Sequence, residues 1–244
     1  MRLTAAVPAI VLATVVALFQ TGSTPIPGLS LSDADEVRIG GSLAQQFIKT
    51  TGMEPTPQTA KIEAYLQAVG NRLAAHAQRK LPYRFRFDPE PAFKSAFALP
   101  GGEIFVGGGA LAMMDTEDQL AVVLGHEIEH VAQNHCRDRL NEELAAQHLT
   151  VETAEQLKVA PFLRSYGHDG ELTADREGVK LSVEAGYSPQ GAVRLLTTFL
   201  VLGQQAARPS SEAEQSLRDR ITQIQRIIAG DKLAMPAEKP LTLP

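Results

Sequence analysis

The sequence predicts an α+β fold, mostly α-helical, with a small β-sheet or hairpin. Three observations carry that prediction. Ile62, Tyr65, Leu66, Val69 and Leu73 recur at three- and four-residue spacing, the stripe of a core-facing helix. Residues 83–87 and 97–106 instead read as short strands, the second pair joined through a glycine turn. No segment repeats with a period of 20–50 residues, which excludes a helical array. Composition agrees: 244 residues, 44% hydrophobic and 21% charged, describe a globular chain long enough to bury a core without staples. A net charge of −5 provides no basic field for nucleic acid. The single cysteine, Cys136, excludes an intrachain disulfide and any multi-cysteine zinc site.

Arg2, an uncharged apolar run over residues 3–19 and a polar, turn-rich stretch over 20–28 have the layout of an export signal. Residues 1–23 are expected to be a signal peptide or, if uncleaved, an N-terminal anchor; the run is short for a span and contains Pro8. No cysteine follows it, so a lipoprotein anchor is excluded. Residues 24–31 read as a linker and 32–230 as one domain. Ser32 with Asp33, Asp35 and Glu36 opens a helix to about residue 48. A second helix covers residues 57–78.

Residues 83–87 alternate aromatic and basic side chains, a strand with one wet face. Phe97 to Leu99, then Pro100-Gly101-Gly102, then Ile104 to Val106 make a strand, a tight turn and a strand. Pro100 cannot donate to a ladder and prefers an edge. Asp115-Thr116-Glu117-Asp118 caps a helix predicted to run to about residue 139. Further helices are predicted at 141–158, 168–186, 189–204 and 211–229. Early acids and later Arg218, Arg220 and Arg226 on the last one suit its macrodipole. The proline-rich end, residues 231–244, is expected to be a flexible tail.

The chemistry lies in His126-Glu127-Ile128-Glu129-His130, inside the 116–139 helix. Residues four apart share one helix face, so both imidazoles can address one ion at the roughly 2.0–2.1 Å of zinc–nitrogen bonds. Glu127 stands beside the first ligand without ligating, where a general base for metal-assisted hydrolysis belongs. The apolar turn over residues 120–125 buries this helix, and buried ionisable groups need partners such as a metal. A catalytic zinc also needs a third protein ligand and one open position. His135 would sit about 140° further round an unbroken helix, so it does not easily join the same ion. Glu171 can, with Asp175 one turn on to receive the N–H of a ligand imidazole. Alone, these two acids would read as a solvated helix face.

With His-Glu-x-x-His at 126–130 and Glu171-x-x-x-Asp175, the chain resembles the gluzincin zinc metallopeptidases. It resembles more closely the HtpX/BepA-like family, which includes the prenyl-protein endopeptidases. The likeness spans roughly residues 57–225 and is strongest over 96–106, 120–135 and 171–176. It implies a zincin-like fold whose small sheet borders the active-site helix, one Zn(2+) per chain and endopeptidase activity. It implies His126, His130 and Glu171 as metal ligands, Glu127 as catalytic base and Asp175 as the acid behind a ligand imidazole. His135 matches a recurrent histidine with a packing or hydrogen-bonding role. Two positions depart from the pattern. Ser95 stands where the family usually has Asn, and Ala207-Arg208-Pro209 where many members carry Ser/Thr-His-Pro. Arg208 or Arg220 is the positive charge that can stand in for that histidine.

The expected function is therefore a zinc metalloendopeptidase acting on misfolded or unassembled cell-envelope proteins. Extended segments of unfolded polypeptide would add as a strand along Phe97, Ala98, Leu99 and Pro100. The expected location is periplasmic or otherwise extracytoplasmic. Membrane contact would come only through residues 1–23 if they are retained, since no long apolar run follows residue 19. Three rivals predict different outcomes: a zinc-containing chaperone-like binding protein without turnover, a metal hydrolase of small esters or amides, and a helical interaction protein that carries the motif by chance and binds no zinc. His76, His148 and His168 read as surface or packing residues, and Cys136 as a small buried hydrophobe.

Overall fold

Eight helices and three strands follow one another over the described residues of the computed structural model, which are 31–53, 55–205 and 210–244. They are α1 (Asp33–Thr51), α2 (Pro57–Ala74), β1 (Arg84–Asp88), β2 (Ala96–Ala98), β3 (Glu103–Gly107), the single-turn α3 (Gly108–Leu111), α4 (Glu117–Ala132), α5 (His135–Ala146), α6 (Gly167–Glu184), α7 (Gln190–Gln204) and α8 (Ser211–Gly230). The mostly helical α+β class is thus the observed one. The leader, nearly all of the linker and Ala207-Arg208-Pro209 lie outside the described residues. Among the described residues, no helix is long and apolar enough to cross a membrane.

The sheet has the order β1-β3-β2. β1 runs parallel to the central β3, with Phe85 beside Ile104, and β2 runs antiparallel, with Phe97 beside Phe105. Side chains alternate across it, as strand geometry requires. Phe85, Ile104 and Val106 join Leu66, Leu124 and Ile128 in a core under α2 and α4. Phe97, Leu99 and Phe105 join Leu43, Phe47 and Leu140 in a second core with α1 and α5. The Phe97 and Phe105 rings stack at 5.0 Å. The turn between β2 and β3 needs Gly101 at φ 76, a conformation that glycine adopts without a Cβ clash.

The two edges of the sheet are treated differently. On the outer side of β1, Phe85 N donates to Gln67 Oε1 at 3.2 Å and Phe87 N to Glu63 Oε1 at 3.1 Å. Side chains of α2 thereby satisfy that edge. On β2, Ser95 O and Leu99 N pair with β3, so the backbone groups of Ala96 and Ala98 face away from the sheet.

α4 opens with the expected capping box, in which Thr116 accepts from Gln119 N. It is buried along most of its length and crosses α6 closely. The crossing is set by two glycines. A Cβ on Gly178 would come within 2.7 Å of His126 N, and one on Gly125 within 2.8 Å of Gly178 O.

Three expectations need correction. The helix foreseen to residue 139 ends at Ala132, because Asn134 takes a left-handed φ of 65 and α5 starts afresh. Asn adopts that region more readily than most non-glycine residues. Arg79 holds the break, its Nη1 donating to Val131 O at 2.9 Å and Asn134 Oδ1 at 3.2 Å. The helix foreseen over 141–158 survives only as the last turns of α5. Thr150 N bonds Thr153 Oγ1 at 2.9 Å, and such local side-chain bonds compete with helix. The tail is not loose over its whole length. Glu117 N donates to Lys239 O at 2.8 Å, and Leu241 N to Asp115 O at 3.0 Å. Lys239 N donates to the buried Asp118 Oδ2 at 2.7 Å. One otherwise unpaired first-turn amide of α4 and a buried carboxylate thus find their partners there.

Candidate metal centre

α4 carries His126 and His130 one turn apart, with their Nε2 atoms 3.0 Å from each other. The glycine-mediated crossing brings α6 near enough for Glu171 to reach them. Its Oε2 lies 3.4 Å from His126 Nε2 and its Oε1 3.8 Å from His130 Nε2. One donor atom from each of the three lies within 4.8 Å of the others. Two imidazole nitrogens and a carboxylate oxygen are a donor set that zinc accepts, with a position left over.

Electrostatics make the site receptive to a cation. Burial opposes a charge on His126, yet its hydrogen bonds to the Asp175 and Glu171 carboxylates outweigh that and lift its pKa to about 10. Glu171 is buried too, but His126 and Arg220 hold its carboxyl well below the usual range. Asp175 is similarly buried, and Arg220 first and His126 second hold it at about 2. Burial and the neighbouring His126 charge push His130 down. The two carboxylates therefore stay ionised, and a divalent ion at His126 Nε2 can take the place of the proton that this ring otherwise holds.

Further polar residues contact the three candidate ligands. His126 Nδ1 lies 2.9 Å from Asp175 Oδ1. Arg220, from α8, donates to the same carboxylate from Nε at 2.6 Å and Nη2 at 2.8 Å. Its Nη1 is 3.5 Å from Glu171 Oε2. The macrodipole account of this arginine is therefore incomplete, while Arg208 lies outside the described residues. Glu171 Oε1 also accepts from Ser165 Oγ at 2.9 Å and Tyr166 N at 3.2 Å. Nothing in the spacing around Ser165 and Tyr166 marks them, because they sit in an irregular segment. The Tyr166 ring lies over His130 at 4.5 Å, and His135 Nδ1 is 2.9 Å from His130 Nδ1.

Glu127 stands outside the His126, His130 and Glu171 cluster but lines the same cleft, 6% exposed. Burial pushes its pKa up to about 7, against a hydrogen bond from the Ala98 backbone. A carboxyl in that range can both take and return a proton near neutrality.

The cleft has a volume of about 340 Å³. Ala96, Phe97 and Ala98 line it, as do Phe162 to Tyr166. Its apolar lining includes Met114, Val122, Leu195 and Phe199. Of the four residues expected to meet substrate, Phe97 and Ala98 line the cleft. Leu99 and Pro100 do not; both are buried in the turn region, where Pro100 O lies against Gly40 of α1. Cys136 is fully buried, as expected of a small hydrophobe.

A model of peptidase family M48 matches residues 60–228. The beta-barrel assembly-enhancing protease of Escherichia coli strain K12 is 26% identical over 203 residues, 75% of this chain and 41% of that protein. The mitochondrial metalloendopeptidase OMA1 of Schizosaccharomyces pombe is 33% identical over 118 residues, 44% of this chain and 34% of that protein. The metalloprotease LoiP of Escherichia coli strain K12 is 24% identical over 231 residues, 84% of this chain and 88% of that protein. The chain thus spans about two fifths of the length of the first of these curated relatives.

Proposed function

The chain belongs to peptidase family M48, and on that premise we propose that it is a zinc-dependent endopeptidase of the HtpX/BepA-like type. The observation that carries the proposal is the convergence of His126, His130 and Glu171 in the cleft that Glu127 lines. These three residues would hold the zinc. When bound, zinc supplies Lewis acidity that polarises water and the scissile carbonyl.

Glu127 takes a proton from the attacking water and returns it to the leaving amine. Its buried setting keeps it close to neutrality in affinity for that proton. Asp175 and Arg220 hold the His126 ring in place. An extended substrate adds beside β2, pairing with the outward backbone groups of Ala96. Such main-chain pairing is largely blind to sequence and suits unfolded segments. The apolar lining of the cleft accepts an apolar substrate side chain.

Within this proposal the substrates are misfolded or unassembled cell-envelope proteins. The leader-like residues 1–23 and the assembly role in one relative's name support an extracytoplasmic location.

The test is digestion of casein by the purified protein with and without a chelator, beside the Glu127→Gln variant. We expect fragments from the wild type alone, lost on chelation and restored by zinc. Fragments from Glu127→Gln at the wild-type rate would reject the assigned base. Binding of casein without cleavage by the zinc-loaded wild type would favour the chaperone-like rival.

A further inference from the structure

We propose that His135 is a positioning residue for the metal centre: it accepts the Nδ1–H of His130 and so fixes the ring that presents Nε2 to the ion. This inference rests on the metallopeptidase reading of the same site.

The geometry begins with the break after α4. In an unbroken helix His135 would lie about 140° round from His130. The left-handed Asn134 turns the chain, and α5 brings His135 back until the two Nδ1 atoms are 2.9 Å apart. The break is itself secured. Arg79 bonds Val131 O and Asn134 Oδ1 and is anchored to Asp33 at 2.6 Å and to Glu36.

Two ring nitrogens at hydrogen-bond distance need one proton between them. A neutral ligand imidazole that offers Nε2 to a metal carries its proton on Nδ1. His130 is therefore the donor and His135 Nδ1 the acceptor. Tyr166 packs at a tilt against both rings, with centroids 4.5 Å from His130 and 5.7 Å from His135, and Arg139 covers Tyr166 at 3.9 Å. The acceptor is thus held by packing as well as by its bond.

The two ligand histidines consequently have unlike partners. His126 donates to the carboxylate of Asp175, His130 to a neutral ring. A neutral acceptor fixes the tautomer without adding another negative charge to the Glu171 and Asp175 carboxylates.

The test compares zinc affinity of the wild type, His135→Phe and His135→Asn by competition with a chromophoric chelator. Phe keeps a planar ring but removes the acceptor. The Asn amide oxygen can occupy the place of Nδ1. We expect His135→Phe to weaken zinc binding about 10–100-fold, the usual cost of losing such a partner. We expect His135→Asn to recover most of that loss, which a role in packing alone would not allow. Equal affinity of wild type and His135→Phe overturns the proposal, as does a His135→Asn protein no better than His135→Phe. Nitrogen-15 spectra of the zinc-loaded wild type provide a check independent of variant folding: the His130 proton is expected on Nδ1, and a deprotonated Nδ1 overturns the proposal. A wild type that takes up no zinc would instead reject the metallopeptidase reading beneath it.

Discussion

Arg220 holds Asp175 through both carboxylate oxygens, at 2.6 and 2.8 Å, while Asp175 Oδ1 also meets His126 Nδ1 at 2.9 Å. The forked guanidinium is suited to this planar grip in a way that an ammonium is not. Arg220→Met should leave the buried Asp175 without its guanidinium partner, with only His126 facing it, costing up to about 3–5 kcal/mol of stability. Zinc affinity should fall about 10–100-fold, with Arg220→Lys between the two. Urea unfolding and metal retention after dialysis check both expectations.

The α4–α6 crossing predicts a sharp response at Gly178. A methyl there meets His126 N at 2.7 Å and Gly125 C at 2.9 Å, backbone atoms that cannot swing aside. Gly178→Ala should cost about 1–3 kcal/mol, the range for overpacking, and draw Glu171 away from the histidines. Denaturant midpoints should drop together with bound zinc, whereas Gly41→Ala, inside α1 where a Cβ meets nothing within 4 Å, should leave bound zinc unchanged and raise the midpoint, Ala being favoured over Gly in a helix by about 0.5–1 kcal/mol.

Acid should weaken the fold through Glu117. Burial raises its pKa, but hydrogen bonds from Tyr65 and Tyr187 and the charge of Arg72 outweigh that and leave it lowered. A carboxyl lowered in the folded state contributes stability that is fully present above its unfolded pKa, roughly 4.3, and is lost as pH falls through the folded value. The thermal midpoint of Glu117→Gln should therefore lie below wild type at pH 7. The gap should narrow on acidification below pH 4, and a gap that widens there would refute the assignment.

Asp118 joins two distant segments to the start of α4, accepting from Ser188 N and Lys239 N, each at 2.7 Å. Asp118→Ala leaves two amides without their acceptor, and each buried one costs about 1–3 kcal/mol. Hydrogen exchange should accelerate at Ser188 and Lys239 more than in β3.

What the sequence made legible follows from range. His126, Glu127 and His130 are separated by helix periodicity alone, and so are Glu171 and Asp175. Each set could be read locally, and the coordinates bring the ligand atoms to one point. The grip of Arg220 could not be read this way, since it spans 45 residues and depends on how α8 lies against α6. Ser165 and Tyr166 escaped notice because irregular backbone has no period to betray which side chain or amide turns inward. The break at Asn134 was missed because asparagine inside a helix is only mildly unfavourable by propensity. Its decisive support comes from Arg79, more than fifty residues earlier. Docking of the tail was likewise hidden in the demand of one buried carboxylate, Asp118.

The joining of Lys239 and Leu241 to the start of α4 has a consequence for biosynthesis. A ribosome delivers both histidines and Glu127 more than a hundred residues before it delivers Lys239, and ninety before Arg220. Until those late residues emerge, the nascent polypeptide has neither the bonds that secure the first turn of this helix nor the guanidinium behind Asp175. On the proposed reading, the cleft would be completed only after Arg220 and Lys239 have been made, well after the His126–His130 segment.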